Sequence, residues 1–208
     1  MIPPVPAVSG LILAGGAGRR MGGVQKGLQS LRGRPLIEWV IERLRMQVDE
    51  LLISANAEIA AYQRYGFTVL QDAVKDQDGS LAGPLAGLQA GLRACSNPLI
   101  VTAPCDVPFL PLDLVQRLRG GLLAADADVA VASVGGRPQP VFVLARREVL
   151  PRLSAYLEQS GRRADGWYSN LRSIEVPFDD ASAFANVNTV AELHGMEVQN
   201  SGRTHDQA

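Results

Sequence analysis

The most informative part of the sequence is VSGLILAGGAGRRMGGVQKG, residues 8–27. Residues 8–15 form an apolar run that ends in glycine, which predicts a buried strand followed by a glycine-rich loop. The first 37 residues contain no Asp or Glu but five cations: Arg19, Arg20, Lys26, Arg32 and Arg34. A cationic, glycine-rich loop directly after a strand is typical of a site that binds an anion through backbone N–H groups.

Downstream of this loop, apolar runs alternate with amphipathic segments. The alternation predicts an α/β fold with a single doubly wound, mostly parallel sheet. The expected strands are residues 8–15, 50–55, 67–72, 98–106, 127–133 and 173–178, with a strand and then a helix in 137–153. The other expected helices are 35–47 with Pro35 in its first turn, 57–66, 83–95, 110–122, and a last one in 186–196 capped by Asn188 or Thr189. Residues 161–170 are polar and carry no predicted element.

Composition limits the class of protein. The 208 residues are 47% hydrophobic and 20% charged, which predicts one globular domain over residues 1–196, with an elaborated C-terminal third and a disordered tail over 197–208. A net charge of −1 argues against nucleic acid or an anionic membrane as a partner. We expect a cytoplasmic protein, because two cysteines are too few for a disulfide framework, the start does not resemble a signal peptide, and no stretch approaches the ~20 apolar residues of a membrane span.

Two common phosphate-binding motifs do not match the loop. In the dinucleotide fingerprint G-x-G-x-x-G, Met21 stands where the third glycine belongs. The P-loop pattern fails because no glycine directly precedes Lys26 and neither Ser nor Thr follows it. From the loop alone, a second interpretation remains, which is a plain glycine-rich turn with solvated arginines.

A longer resemblance covers most of the chain. LAGGAGRRMGGVQKGL at 13–28 resembles a signature that begins L-A-G-G, continues R-M-G and ends D-K. This signature is that of the nucleoside-diphospho-sugar-transferase-like nucleotidyltransferases, which have a Rossmann-like fold. Within this family, the resemblance is closest to the molybdenum cofactor guanylyltransferases. Later motifs follow in the family's order, so that the resemblance spans about residues 9–195: QD at 71–72, GPLAGL at 83–88, PCDVPFL at 104–110, QPVF at 139–142 and NVNT at 186–189.

The resemblance implies an activity. Such enzymes transfer GMP from GTP to the terminal phosphate of molybdopterin carrying molybdenum, and they release pyrophosphate. It also implies a Mg²⁺ cofactor, with Mn²⁺ as the alternative, and GTP and molybdopterin as ligands, with molybdoenzymes or their chaperones as further partners. Residues 8–110 would form the GTP and metal half of the domain, and residues 111–196 the acceptor half. Gly16 favours the guanylyl version, because the related cytidylyltransferases read A-A-G there.

The resemblance also assigns roles residue by residue. Lys26 and Arg20 would be catalytic and stabilise phosphate charge, and Asp106 would hold the metal. The GTP site would comprise Leu13, Ala14, Gly15, Gly16, Lys26, Asp72, Gly83 and Asp106. Asn186 and Asn188 would bind the acceptor, with Arg162, Arg163 and Gln139 as weaker candidates.

Other interpretations stay open. Lys26 could be a solvated surface lysine, Asp72 a turn residue, and Asp106 the cap of a helix that starts near Pro111. The family's Asp before the lysine is Gln25, and its Asn after the second strand is Ser54 with Asn56 nearby, which leaves the guanine contacts open. Other functions are transfer from CTP, transfer to a sugar phosphate or phospholactate, and a catalytically silent partner that binds nucleotide and delivers cofactor. Cys105 is expected to be a small buried residue rather than a nucleophile.

Overall fold

A central sheet of seven strands organises the chain. The computed structural model describes residues 5–15, 25–72 and 83–187. In chain order the strands are β1 Val8–Leu13, β2 Ser30–Leu31, β3 Arg34–Pro35, β4 Glu50–Ser54, β5 Thr68–Leu70, β6 Leu99–Pro104, β7 Val129–Val134, β8 Arg137–Arg146 and β9 Ser173–Phe178. The helices are α1 Leu36–Leu44, α2 Ile59–Gln63, α3 Pro84–Ala94, α4 Leu114–Ala124, α5 Leu150–Glu158 and α6 Ala164–Tyr168.

The strand order confirms the doubly wound, mostly parallel sheet. It runs β5-β4-β1-β6-β8-β7-β9, and β2 and β3 form a separate two-stranded ribbon. β1 lies between β4 and β6 and pairs parallel with both. The chain therefore adds β4 and β5 on one side of β1 and then crosses to the other side for β6, which makes the β1/β6 boundary the switch point of the topology.

β8 is the strand that runs against the others. It pairs antiparallel with β6 on one side and with β7 on the other. β7 and β8 are joined by Gly135 and Gly136 alone, with φ of 55° and 73°. Positive φ at both central residues of a two-residue turn matches the twist of paired strands and is readily adopted by glycine. The hairpin lets β8 be inserted beside β6 without a crossover helix.

Helices cover both faces of the sheet. Most buried side chains of α1, α2 and α4 belong to one core cluster, and most of those of α3, α5 and α6 belong to another. Alternate residues of β1 serve the two clusters, since Val8 and Ile12 pack into the first and Leu11 into the second. This alternation is the period of two that an extended strand imposes on its side chains.

Element boundaries differ from the sequence-based prediction in several places. Pro35 precedes α1 as the last residue of β3, because the chain first forms the β2–β3 ribbon before turning into the helix. The helix predicted over 110–122 begins only at Leu114, with Asp113 at its N-cap position. The polar stretch 161–170 contains α6, held against the core by Trp167, which is buried. The last predicted helix lies almost entirely outside the described residues.

None of the helices within 5–15, 25–72 and 83–187 is long and apolar enough to cross a membrane.

Candidate functional site

The carboxyl ends of β1, β4, β5 and β6 lie side by side at one edge of the sheet. Backbone hydrogen bonds carry the pairing past the strand ends. The Ala14 N–H donates to the Ser54 carbonyl at 2.7 Å, and the Cys105 N–H donates to the Leu13 carbonyl at 3.1 Å. Leu13, Ala14 and Gly15 thus leave β1 at the switch point, where open α/β sheets bind ligands. Gly16 and Arg20 lie outside the described residues.

Lys26 and Asp106 form an ion pair at this point. Lys26 begins a single 3-10 turn, Lys26–Leu28, and its Nζ lies 3.1 Å from Oδ2 of Asp106, which follows the end of β6. The Asp106 side chain is 9% exposed and that of Lys26 is 31% exposed. A buried carboxylate is stabilised by a charged partner, so each side chain fixes the other. Interpreting Asp106 as the cap of α4 is wrong, because Asp113 occupies that position.

Asp72 is held by two polar residues from the end of β4. Ser54 Oγ donates to Asp72 Oδ1 at 3.0 Å, and Asn56 Nδ2 donates to Asp72 Oδ2 at 2.8 Å. The Asp72 N–H donates back to Asn56 Oδ1 at 2.9 Å. A Cβ on Gly15 would lie 2.8 Å from Asn56 Nδ2, so only glycine lets β1 leave the sheet beside this network.

The GPLAGL motif packs α3 against the same edge. Gly83 precedes the helix with φ of 75° and ψ of −164°, a conformation that L-residues rarely adopt, and Pro84 takes the first helical position. A Cβ on Gly87 would lie 2.7 Å from Leu13 Cδ2 and 2.8 Å from Ser54 Oγ. The first glycine therefore shapes the loop, and the second lets the helix approach β1 and β4 closely.

The C-terminal segment also contacts Asp106. The Val187 N–H donates to the Asp106 carbonyl at 2.8 Å. The segment is anchored by Phe184, whose ring packs edge-on against Phe142 and Phe178 with centroids 4.9 and 5.1 Å apart. Asn186 is exposed beside Val187 and so lies next to the candidate site, whereas Asn188 lies outside the described residues.

The weaker acceptor candidates make local contacts. Arg162 Nη1 donates to the carbonyls of Leu157 and Gly161, near the end of α5. Arg163 pairs with Asp165 in the first turn of α6. Gln139 Nε2 donates to the Arg137 carbonyl at 3.3 Å on the exposed part of β8. All three side chains thus have hydrogen-bond partners close to them along the chain.

Cys105 lies beside Asp106 but lacks the character of a nucleophile. Its side chain is buried, and desolvation raises the pKa of the thiol to about 12. The negative charge of Asp106 contributes to this increase in the pKa. The thiol is therefore protonated at neutral pH, which agrees with the expectation of a buried packing residue.

The donor set can be tested against a bound divalent cation. Within the described residues, no three side chains of His, Cys, Asp or Glu are grouped as a complete metal cage. Asp106 offers one carboxylate at the switch point. Mg²⁺ is commonly held by one or two carboxylates together with substrate phosphates and water. The residues present therefore fit a cation that is shared with a phosphate ligand, and they do not fit a structural metal.

The sequence motifs located Lys26, Asp106 and Asp72 but not their surroundings. Ser54 and Asn56 stand out in the sequence only as departures from a pattern, whereas the structure shows them as the partners of Asp72. Both lie at the end of a predicted strand, as does Asp72. Parallel strands that are neighbours in the sheet bring such residues together. The position of polar residues at the ends of two predicted strands is therefore the sequence pattern that indicates this network.

Comparison with known proteins adds a family and several relatives. The family model described as a MobA-like NTP transferase domain matches residues 10–172. A molybdenum cofactor guanylyltransferase of Cupriavidus metallidurans is 50% identical over 90% of this chain and 93% of its own length. A molybdenum cofactor guanylyltransferase of Ralstonia nicotianae is 48% identical over 91% of this chain and 96% of its own length.

A solved structure is similar as well. The molybdopterin-guanine dinucleotide biosynthesis protein A of Archaeoglobus fulgidus superposes with a TM-score of 0.74 at 25% identity, covering 93% of this chain and 99% of that one. The similarity therefore extends over nearly the whole of both chains.

Proposed function

The chain belongs to the MobA-like NTP transferase family, and on that premise we propose that it transfers GMP from GTP to the terminal phosphate of molybdopterin. The products are molybdopterin guanine dinucleotide and pyrophosphate. The observation that carries the proposal is the Lys26–Asp106 pair at the switch point of the sheet, in a chain about half identical to molybdenum cofactor guanylyltransferases.

The reaction is a displacement at the α-phosphorus of GTP. An oxygen of the acceptor phosphate forms a bond to the α-phosphorus, and the bond from that phosphorus to the bridging oxygen of the β-phosphate breaks. The bridging oxygen leaves with the electron pair as part of pyrophosphate. Because the attacking phosphate oxygen is already anionic, the enzyme needs no covalent intermediate and no strong base. Its task is to align the two phosphates and to neutralise their charge.

Lys26 supplies the neutralising charge. An ammonium group is a compact point charge that follows the negative charge developing on the α-phosphate and on the leaving pyrophosphate. Arg20 belongs to the same loop, and we assign it to the phosphates, which a guanidinium grips with two hydrogen bonds.

Asp106 is assigned to the metal. The cation is Mg²⁺, with Mn²⁺ as the alternative, and it would be held by the Asp106 carboxylate together with phosphate oxygens. When bound there, a divalent ion draws negative charge from the phosphate oxygens and favours their approach. The Val187 N–H, bonded to the Asp106 carbonyl, fixes the backbone from which that carboxylate projects.

The remaining residues form the walls of the two substrate sites. We assign Leu13, Ala14, Gly15, Gly16, Asp72 and Gly83 to GTP, with Asn56 added because it donates to Asp72 and leaves no space for a side chain at Gly15. Asn186 and Asn188 are assigned to the acceptor, since Asn186 is exposed one residue before the contact with Asp106. Residues 8–110 then carry GTP and the metal, and residues 111–196 the acceptor side of one domain.

We place the reaction in the cytoplasm. GTP and a reducing environment are available there, and both cysteines of the described residues, Cys95 and Cys105, are free thiols.

The experiment is to follow α-labelled GTP incubated with the protein, Mg²⁺ and molybdopterin. Label is expected in a pterin dinucleotide, with release of one pyrophosphate per dinucleotide. Parallel reactions with α-labelled CTP, and with a sugar phosphate as acceptor, test the two other transferase functions. Faster transfer in either reaction would overturn the proposal. Tight GTP binding with no transfer to any acceptor would instead indicate a cofactor-delivering partner.

A further inference from the structure

The turn that carries Lys26 packs against the side chains of Tyr62 and Cys105 at Gly27. A Cβ added to Gly27 would lie 3.0 Å from Tyr62 Oη, 3.1 Å from Cys105 Sγ and 3.2 Å from Cys105 Cβ. These distances are shorter than ordinary van der Waals contact between carbon and such atoms. Gly27 is therefore packed closely between α2 and the end of β6, with no space for even a methyl group.

Tyr62 is unusual among the residues around this turn. It is fully buried, yet its hydroxyl has no hydrogen-bond partner among the described residues. A buried, unpaired hydroxyl is unfavourable compared with the hydrogen of a phenylalanine, so such a group calls for an explanation. Its closeness to Gly27 offers one, because the oxygen fills the space directly under the turn.

Cys105 completes the support from the side of the sheet. It is 7% exposed and stands directly before Asp106, while Gly27 stands directly after Lys26. The two residues in contact are thus the chain neighbours of the two residues in the ion pair. A shift of Gly27 away from Cys105 would move Lys26 away from Asp106 by a similar amount.

We propose that Tyr62 and Cys105 form a rigid support under Gly27 that sets the position of Lys26 Nζ relative to Asp106. Tyr62 is then a positioning residue for the transfer, acting through the turn and not by contact with substrate. The inference rests on the proposed function, since it concerns how Lys26 is placed for that reaction. Gly27 is required here by the close approach of its neighbours.

Gly27→Ala tests the support directly. The added methyl group must push the turn by a few tenths of an ångström. We expect kcat for dinucleotide formation to fall about tenfold, because small misplacements of a catalytic group are costly, while KM for GTP changes less than about threefold. We express kcat per active site, counted by titration with GTP, so that a loss of folded protein lowers the number of sites and leaves this kcat unchanged.

Rescue by Tyr62→Phe is the decisive part. Removing the hydroxyl oxygen takes away the nearest of the three contacts and leaves the ring in place. The double variant Gly27→Ala/Tyr62→Phe is expected to regain at least about threefold in kcat over Gly27→Ala, whereas Tyr62→Phe alone, which removes the oxygen under the turn, is expected to lower kcat about threefold. Such a change in sign is an interaction between the two sites, not a sum of independent effects.

Gly121→Ala is the matched control. A Cβ there would lie 2.6 Å from Val176 Cγ2, an even closer contact, but in α4 against β9 and away from Lys26. This variant is expected to lower Tm and to keep the wild-type kcat at 25 °C. A similar fall in kcat for both glycine variants would overturn the proposal.

A second variant covers the case in which Gly27→Ala does not fold. Tyr62→Leu adds no volume and leaves a gap beneath the turn, so kcat is expected to fall about fivefold. Leu118→Ala, in the same core cluster within α4, opens a gap of its own and should leave kcat unchanged. The proposed support would be wrong if Tyr62→Leu kept the wild-type kcat, or if the double variant had a kcat no higher than that of Gly27→Ala. Failure of wild-type protein to make the dinucleotide would overturn the proposed function instead.

Discussion

Lys26 brings a positive charge to within 3.1 Å of the Asp106 carboxylate, at the boundary between β1 and β6. Lys26→Ala removes that charge and leaves the backbone turn in place. We expect kcat to fall by at least about 100-fold, the usual loss when one group that stabilises transition-state charge is removed. Binding of GTP should weaken less, because the other phosphate contacts remain. Single-turnover rates and equilibrium titration with GTP would separate the two effects.

Arg64→Ala is the control for Lys26→Ala. It removes a cation from the exposed end of α2 and should leave kcat within about twofold of wild type. If Lys26→Ala formed dinucleotide at the normal rate, the assignment of Lys26 would be wrong.

At the level of single residues, the sequence predicts the charged groups of the site better than the residues that hold them in place. Lys26 and Asp106 belong to contiguous motifs and can be read from the chain. The contact between Tyr62 and Gly27 joins segments far apart in sequence, and neither composition nor periodicity carries such a distance. Asn56 lay outside the matched motif, although it holds Asp72 with both ends of its amide.

At the scale of elements, α3 depends on Gly87 for its closeness to the sheet. Gly87→Ala would improve helix propensity by about 1 kcal/mol, but its methyl group would meet Leu13 and Ser54 at under 3 Å. We expect the steric effect to dominate, so that Tm falls and KM for GTP rises about tenfold through displacement of Leu13. Thermal unfolding and initial-rate kinetics would measure both.

Gly120→Ala provides the matched helix control for Gly87→Ala. A Cβ at Gly120 of α4 meets nothing within 4 Å. This substitution should raise Tm slightly and leave KM unchanged. A Gly87→Ala variant that behaved in the same way would show that α3 does not need its close approach.

A cluster of charges ties together the starts of β7 and β9. Asp128 accepts from Arg172 at 2.8 Å and from Arg152 of α5 at 3.3 Å, and the hydrogen bond from Arg172 lowers the pKa of Asp128. A pKa that is lower in the folded state stabilises the fold above the unfolded value of about 4, and this stability is lost as pH falls through the folded value.

Asp128→Asn should therefore lower Tm in a pH-dependent manner. We expect a decrease of about 2–4 °C at pH 7, corresponding to roughly 1 kcal/mol for a chain of this size, and a smaller difference as the pH falls below about 4. Asp113→Asn, which breaks an exposed pair with Arg117 at 3.7 Å, should change Tm by less than about 1 °C. A difference independent of pH would contradict the role of the Asp128 charge.

Elements were predicted more reliably than their arrangement. The strand over 173–178 has the observed bounds, and most other strands differ by one or two residues at their ends. The direction of β8 could not be read from its apolar pattern, because an inserted antiparallel strand is buried on both faces like its parallel neighbours. α6 was missed because a five-residue helix is held by the burial of Trp167 and not by its own periodicity.

At the scale of the whole molecule, a nucleotide that contacts residues from β1, β4, β5 and β6 stabilises the fold by binding only the native state. GTP with Mg²⁺ at about 100 times its Kd should add about 2.7 kcal/mol, which corresponds to a rise in Tm of roughly 5–10 °C. CTP at the same concentration should give a smaller rise. A thermal-shift titration with both nucleotides would measure this, and a larger rise with CTP would contradict the preference for guanine.

The hydrogen bond from Val187 to Asp106 joins two segments that are synthesised at different times. The ribosome adds Lys26, strands β1, β4, β5 and β6, and Asp106 well before it adds Val187. Until the C-terminal segment has left the exit tunnel, the Val187 N–H cannot donate to the Asp106 carbonyl. The two segments that meet at Asp106 are thus completed at different moments of translation.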